Sequence, residues 1–256
     1  MFEIILNSTK ILDQLGNVWI IALLVFSRCI AFSSMAPLLS NKTNPGLVKI
    51  AFAIIMTLII MPNLNAPTEY PSGFKFIYLI IINVIIGLMI AWIASLVIVI
   101  IKTAGEMLDS QMALNAANLF DPGTQTQSTV IGLFFDWIGL ALFVSVGGME
   151  KLIEGFYKSF NTFPVVMYHL NFNFEKIIRA SGDVIAIGIL IVSPIFVILL
   201  VQDLILGLMS RAAPQINAFQ ISFSIKPSTG LLLLMILLPA MLQVLASIFN
   251  DPFRYF

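Results

Sequence analysis

An all-α integral membrane fold is what this 256-residue sequence predicts, and three observations predict it. Charged side chains make up 10% of the chain, where soluble globular proteins carry about 25%. The hydrophobic fraction is 59% and the mean hydropathy is +1.02. Several apolar runs also approach or exceed the roughly 20 residues that a helix rising about 1.5 Å per residue needs to cross a hydrocarbon core. Ile, Leu and Val fill these runs without sustained polar alternation, so a transmembrane β-barrel does not fit. Thirteen basic and thirteen acidic residues cancel, leaving no basic field to gather phosphates, and no nucleic acid is expected as a partner. A single cysteine, Cys29, and a single histidine, His169, exclude a disulfide framework and a multi-histidine metal or haem site. No cofactor is expected.

About six kinked helical segments follow one another in a single domain. The first covers 15–39 and is interrupted by Arg28. Within it Ser34-Met35-Ala36 loosely resembles a cleavage site. Glu3 and Asp13 offset Lys10, however, and Arg28 falls inside the apolar core, against the layout of a signal peptide. The second segment covers 49–66. The third, over 76–101, holds no Asp, Glu, Lys, Arg or His. It carries Gly87, Ala91 and Ser95 at spacing four, a stripe along which another backbone can pack closely. The fourth covers 130–149 with Asp136 inside it, the fifth 184–209 and the sixth 229–250. Pro62, Pro194 and Pro239 break or end these runs, because proline removes an N–H and its ring clashes with the preceding turn. Basic residues divide almost evenly between the two sides, so the positive-inside rule sets no orientation.

Residues 102–129 are too polar for a lipid-facing span and too apolar for a solvated loop. Ala104, Leu108, Met112 and Ala116 recur every four residues, and Leu119 and Phe120 extend that face, while Glu106, Asp109 and Asn118 are polar. Asp121-Pro122-Gly123 ends the stretch as a turn, and Ser128 or Thr129 stands where the next helix needs a cap. Two readings stay open. One is an amphipathic connector on the membrane surface, although such connectors usually carry Lys and Arg and this one has none past Lys102. The other is an element folded into a protein-lined, water-accessible cavity, where flexible methionines seal against their neighbours.

Gly105-Glu106, then Gln111-Met112, then Phe120-Asp121-Pro122 form one motif. Arg211-Ala212-Ala213-Pro214-Gln215-Ile216-Asn217-Ala218-Phe219, followed by Lys226, forms a second. Pro37-Leu38 with Asn44-Pro45-Gly46-Leu47-Val48-Lys49 forms a third. With these motifs, and over essentially its whole length, the chain resembles the FliR family, the export-gate subunits of the bacterial flagellar type III secretion apparatus and of the injectisome. It departs from that pattern at Ala113 and Ser222, where glycine is common, at Ser224, where proline is common, and at Asn83, where an acidic residue is common.

The resemblance implies a multi-pass subunit of the bacterial inner membrane, within a flagellar basal body or an injectisome base. It implies helices arranged as hairpins and one copy completing a ring of FliP-like and FliQ-like subunits. It further implies contact with an FlhB-like switch protein, surrounding membrane lipid, and unfolded export substrates in transit. A channel plug within 105–120 is implied as well. Met107, Met112, Leu114, Leu119 and Phe120 are its expected apolar residues, excluding water and ions because a narrow apolar constriction dewets. Gly105, Glu106, Gln111, Asp121, Pro122, Arg211, Pro214 and Asn217 are the expected motif and subunit-contact residues.

Arg28 and Asp136 lie in apolar runs, where an unpaired charge costs at least ~2.5 kcal/mol, so each is expected to pair with a polar partner or to face an aqueous interior. Glu106 and Asp109 lie about one turn apart, with Lys102 four residues before Glu106. A local ion pair explains them better than acid–base chemistry, because no nucleophile with a base, metal-ligand set or phosphate loop accompanies them. No enzyme is expected. The rival reading is a secondary transporter of a small solute, which also uses broken helices and polar residues at mid-depth. Such a transporter's halves repeat, and no internal repeat is evident here.

Overall fold

The computed structural model describes residues 2–40, 44–64, 70–114, 129–168, 174–215 and 217–250. Among them the chain forms α1 (Phe2–Met35), α2 (Gly46–Ile60), a 3-10 turn (Met61–Asn63), α3 (Phe74–Gln111), α4 (Val130–Ser145), α5 (Gly148–Thr162), α6 (Phe174–Ala212) and α7 (Ala218–Asn250). Five helices are long and apolar enough to cross a membrane, and α4 with α5 make a sixth if the pair is taken as one broken span. The protein is an all-helical integral membrane protein.

The helices extend beyond the apolar runs that announce them. The segment expected over 76–101 runs on to Gln111, because nothing between Lys102 and Gln111 breaks a helix. The polar start of α6 lies ahead of the expected 184–209, and Glu175 and Arg179 pair across one turn there at 2.6 Å. Similarly, α7 begins at Ala218 rather than 229, and the Asn217 side-chain oxygen accepts the Gln220 N–H at 3.3 Å. The segment expected over 130–149 stops at Ser145 instead. Gly147 there takes φ +70°, a conformation glycine adopts without strain, and the chain restarts as α5.

Each break has a local cause. Thr129 caps α4 by accepting the Gly132 N–H at 3.1 Å. Pro62 turns the end of α2 into the 3-10 turn. Pro194 sits inside α6, where its missing N–H would have bonded the Leu190 carbonyl. The Ser193 hydroxyl donates to that carbonyl at 2.8 Å, so the lost bond leaves no orphan; α6 continues through Pro194 and α7 through Pro239 rather than ending at either.

Contacts divide the chain into two compact units, Met1–Ser95 with Met149–Phe172 and Leu96–Gly148 with Asn173–Phe256. In the first, Leu24, Val25 and Phe32 of α1, Ala53 and Ile60 of α2, Leu79 and Ala91 of α3, and Phe156 and Phe160 of α5 form one buried core. The Phe32 and Phe156 rings stack with centroids 4.1 Å apart. Cys29 is a buried thiol within this core. In the second unit the end of α3 packs on α4 and α7 at Gly105, Gly132 and Gly230, where a β-carbon would meet a neighbour at under 3.0 Å, while Gly188 of α6 lies in ordinary contact with the backbone of Ile100.

Candidate functional site

The central motif divides at the end of α3. Gly105, Glu106, Met107 and Gln111 occupy its last two turns, and Met112 to Leu114 form the turn that closes it. Ala104, Leu108 and Met112 are fully buried, while Met107, Gln111 and Leu114 are half-buried. Leu119, Phe120, Asp121 and Pro122, together with His169, lie outside the described residues.

Gly105 is where α3 meets α4. A β-carbon there would fall 2.8 Å from the Ile131 carbonyl oxygen and 2.8 Å from Phe135 Cβ, too close for any side chain. Gly132 is the reciprocal notch on α4, since a β-carbon there would fall 2.8 Å from Glu106 Cγ. The aliphatic stem of Glu106 therefore covers α4, and its carboxylate stands 4.0 Å from Lys102 Nζ. That pair contributes little: both side chains are about two-fifths exposed, and lysine preceding glutamate is the weaker order. Higher on the same crossing, Gly139 faces Ile101. The motif's glycine and glutamate are thus residues of a helix crossing rather than of a reactive centre.

The helix ends in a left-handed turn at a residue other than glycine. Ala113 takes φ +57°, its N–H donates to the Ser110 carbonyl at 3.3 Å, and the Leu114 N–H donates to the Asp109 carbonyl at 3.2 Å. Met112 fills the space over Gly230 of α7, where a β-carbon would fall 2.5 Å from Met112 Cγ and 2.8 Å from its sulfur. Beside this contact the Thr229 hydroxyl lies 2.8 Å from Gln202 Oε1 of α6, and Lys226 pairs with Asp203 at 2.5 Å. Asp109 is 1% exposed, and neither of its carboxylate oxygens has a hydrogen-bond partner among the described residues.

Arg28 finds its partners in the first unit. Its Nε and Nη2 donate to Asn83 Oδ1 at 2.9 and 2.7 Å, and its Nη1 donates to the Ser159 carbonyl at 3.4 Å. Ser159 lies in the last turn of α5, where the helix dipole carries negative partial charge, and its carbonyl also accepts the Phe163 N–H at 2.8 Å. The guanidinium also lies 4.3 Å over the Phe160 ring. A buried cation is thus held by an amide, a helix end and a π-face, with no carboxylate in ion-pair range among the described residues. Gly87 of the small-residue stripe packs against the Arg28 carbonyl oxygen, which a β-carbon would strike. Ala91 is fully buried on the same side of α3, and Ser95 is half-buried with its hydroxyl on the Trp92 carbonyl. Asp136 is half-buried on α4.

The second motif ends α6 and starts α7. Arg211, Pro214 and Asn217 are exposed, with Pro214 in the turn between the helices. Gly132, Gly139 and Gly230 escaped the sequence reading. Gly132 and Gly139 stand seven residues apart on one helical face, a signal that was present; Gly230 carried none. Among the described residues no group of three or more His, Cys, Asp or Glu is placed to hold a metal ion. Chemically, the end of α3 is a tightly packed, apolar closure with one buried carboxylate.

Comparison with known proteins adds a lineage to this geometry. The family model described as bacterial export proteins, family 1, matches residues 19–251. The flagellar biosynthetic protein FliR of Escherichia coli (strain K12) is 30% identical over 228 residues, which are 89% of this chain and 87% of that protein. The flagellar biosynthetic protein FliR of Bacillus subtilis (strain 168) is 28% identical over 232 residues, 89% of this chain and 90% of its own. The surface presentation of antigens protein SpaR of Shigella flexneri is 24% identical over 216 residues, 83% of this chain and 82% of its own.

Proposed function

Because this chain belongs to the bacterial export proteins, family 1, we propose that it is a non-enzymatic gating subunit of a type III protein-export channel in the bacterial inner membrane. One copy completes a ring with FliP-like and FliQ-like subunits and contacts an FlhB-like switch protein. The flagellar apparatus is the favoured setting, since the flagellar relatives above match at higher identity than the injectisome relative. The observation that carries this reading is the family match itself, which takes in all three sequence motifs within residues 19–251.

In this reading the end of α3 and the residues after it plug the channel. Met107, Met112 and Leu114, with Leu119 and Phe120, form an apolar constriction that sheds water until a substrate passes. Arg211, Pro214 and Asn217 stand exposed, as residues that contact another subunit must. Gly105 and Glu106 hold the plug's base against α4.

Native mass spectrometry of the tagged chain, purified in mild detergent after co-expression with its neighbouring membrane-protein genes, tests the assembly. One copy of this chain among several copies of two smaller helical proteins is expected. A stable monomer or homodimer without partners would favour a small-solute transporter instead. The plug is tested separately by deleting Met112 to Phe120. The assembled deletion complex is expected to leak small ions across the membrane, and unchanged conductance would remove the plug from the mechanism.

A further inference from the structure

Two unfavourable features and one favourable contact meet at the last turn of α3. Asp109 is buried with both carboxylate oxygens unpartnered among the described residues, and such burial opposes the arrangement that produces it. Ala113 holds a left-handed conformation that disfavours any residue with a β-carbon. Against these stands Met112, wholly buried, its flexible thioether seated in the space that Gly230 leaves open on α7.

We propose that Met112 seated on Gly230 is a releasable latch that holds the end of α3 in the closed arrangement. When Met112 withdraws, Ala113 returns to the right-handed region and Asp109 reaches water, so both unfavourable features are relieved at once. The packing lost and the strain relieved oppose each other, which makes the two arrangements close in free energy and the turn a switch. This rests on the export-gate reading for its biological meaning, the unlatched turn being the exporting state. The latch itself is a property of residues 109–114 and 230.

Methionine at 112 and glycine at 230 are both required. A β-branched residue at 112 would lack the reach and pliancy of a thioether. Any side chain at 230 would occupy the seat, since a β-carbon there already falls 2.5 Å from Met112 Cγ.

That proximity provides the test. Met112→Cys combined with Gly230→Cys brings two thiols within bridging reach in the full chain, assembled with its partner subunits. Cells lacking their own copy carry the double variant, each single variant or the unchanged chain, and export is followed before and after a mild oxidant. Oxidation of the two thiols, with the oxidant taking up the electrons and two protons released, is expected to bridge the pair and abolish export, and a dithiol reductant to restore it. Oxidant is expected to leave each single variant's export at the level it had before treatment, because one thiol alone cannot form the bridge. Bridged protein that still exports overturns the latch, as does an assembled double variant that forms no bridge.

A second measurement holds if the cysteine variants fail to assemble. Ala113→Gly removes the left-handed strain and favours the latched turn roughly fivefold, the factor that about 1 kcal/mol represents. Hydrogen exchange in the purified complex is then expected to slow by that factor at the amides of residues 112–114. Unchanged exchange there overturns the latch without reference to export. Failure of the unchanged chain to restore export would instead count against the gate reading.

Discussion

Asn83 uses all four of its hydrogen-bonding positions. Its oxygen accepts twice from Arg28, and its amide nitrogen donates to the Leu79 carbonyl at 2.8 Å and the Val165 carbonyl at 3.0 Å. Two acceptances and two donations are what an amide supplies and a carboxylate does not. A carboxylate would strengthen the hold on Arg28 yet set an oxygen against two carbonyls. Asn83→Leu is expected to destabilise the protein by about 3 kcal/mol, because it leaves a buried guanidinium short of its main acceptor. Asn83→Asp keeps the acceptor and loses both donations, so thermal melting in detergent should rank native above Asp and Asp above Leu. Gly87→Ala would drive a methyl into the Arg28 carbonyl oxygen and is expected to cost about 2 kcal/mol in the same melting series. A sequence shows that Arg28 needs a partner inside an apolar run. It does not show which of several polar residues 55 to 131 positions away will reach it.

Helices announce themselves by their apolar runs, and their ends by local chemistry. The third segment was legible as a span because 26 residues pass without a charge, and the cap before the fourth was legible as Ser128 or Thr129, of which Thr129 takes the role. What hydropathy does not register is helix made of polar residues. The start of α6 carries an ion pair, the start of α7 carries a cap and runs on through Pro227, and the last turns of α3 hold no proline. For the same reason the central motif, read as a separate element, proves continuous with α3 as far as Gln111. Thr129→Ala is expected to cost about 1 kcal/mol, the worth of a cap, and to fray α4 beside Gly132. Ser193→Ala withdraws the donor that covers the Leu190 carbonyl beside Pro194, and about 1 kcal/mol should be lost. Both are measured by thermal melting, and a change within error at either position would show the bond to be dispensable. The glycine crossings were the least legible part of the site, since a glycine's value there depends on a backbone from elsewhere in the chain.

Across the whole molecule, apolar surface remains on the outside of the spanning helices. Only 22% of the α7 span and 17% of the α2 span is buried, and Met235 and Leu47 are 79% and 78% exposed. Lipid or other subunits must cover such faces. A lipid-soluble carbene photoprobe is expected to label the peptide around Met235 in the chain expressed alone and to be excluded after co-expression with partner subunits. Equal labelling in both would assign that face to lipid. The first unit is completed late in synthesis. Its residues come from two stretches of chain, and the Arg28 guanidinium depends on a carbonyl 131 residues downstream. At about 5–20 residues per second, a ribosome that has placed Arg28 needs roughly 3 to 11 s more to deliver Asn83 and roughly 7 to 26 s to deliver Ser159. Through that interval a nascent α1 carries a cation that the finished fold keeps dry. An insertase or a bilayer defect must shelter it until translation of α5 is complete.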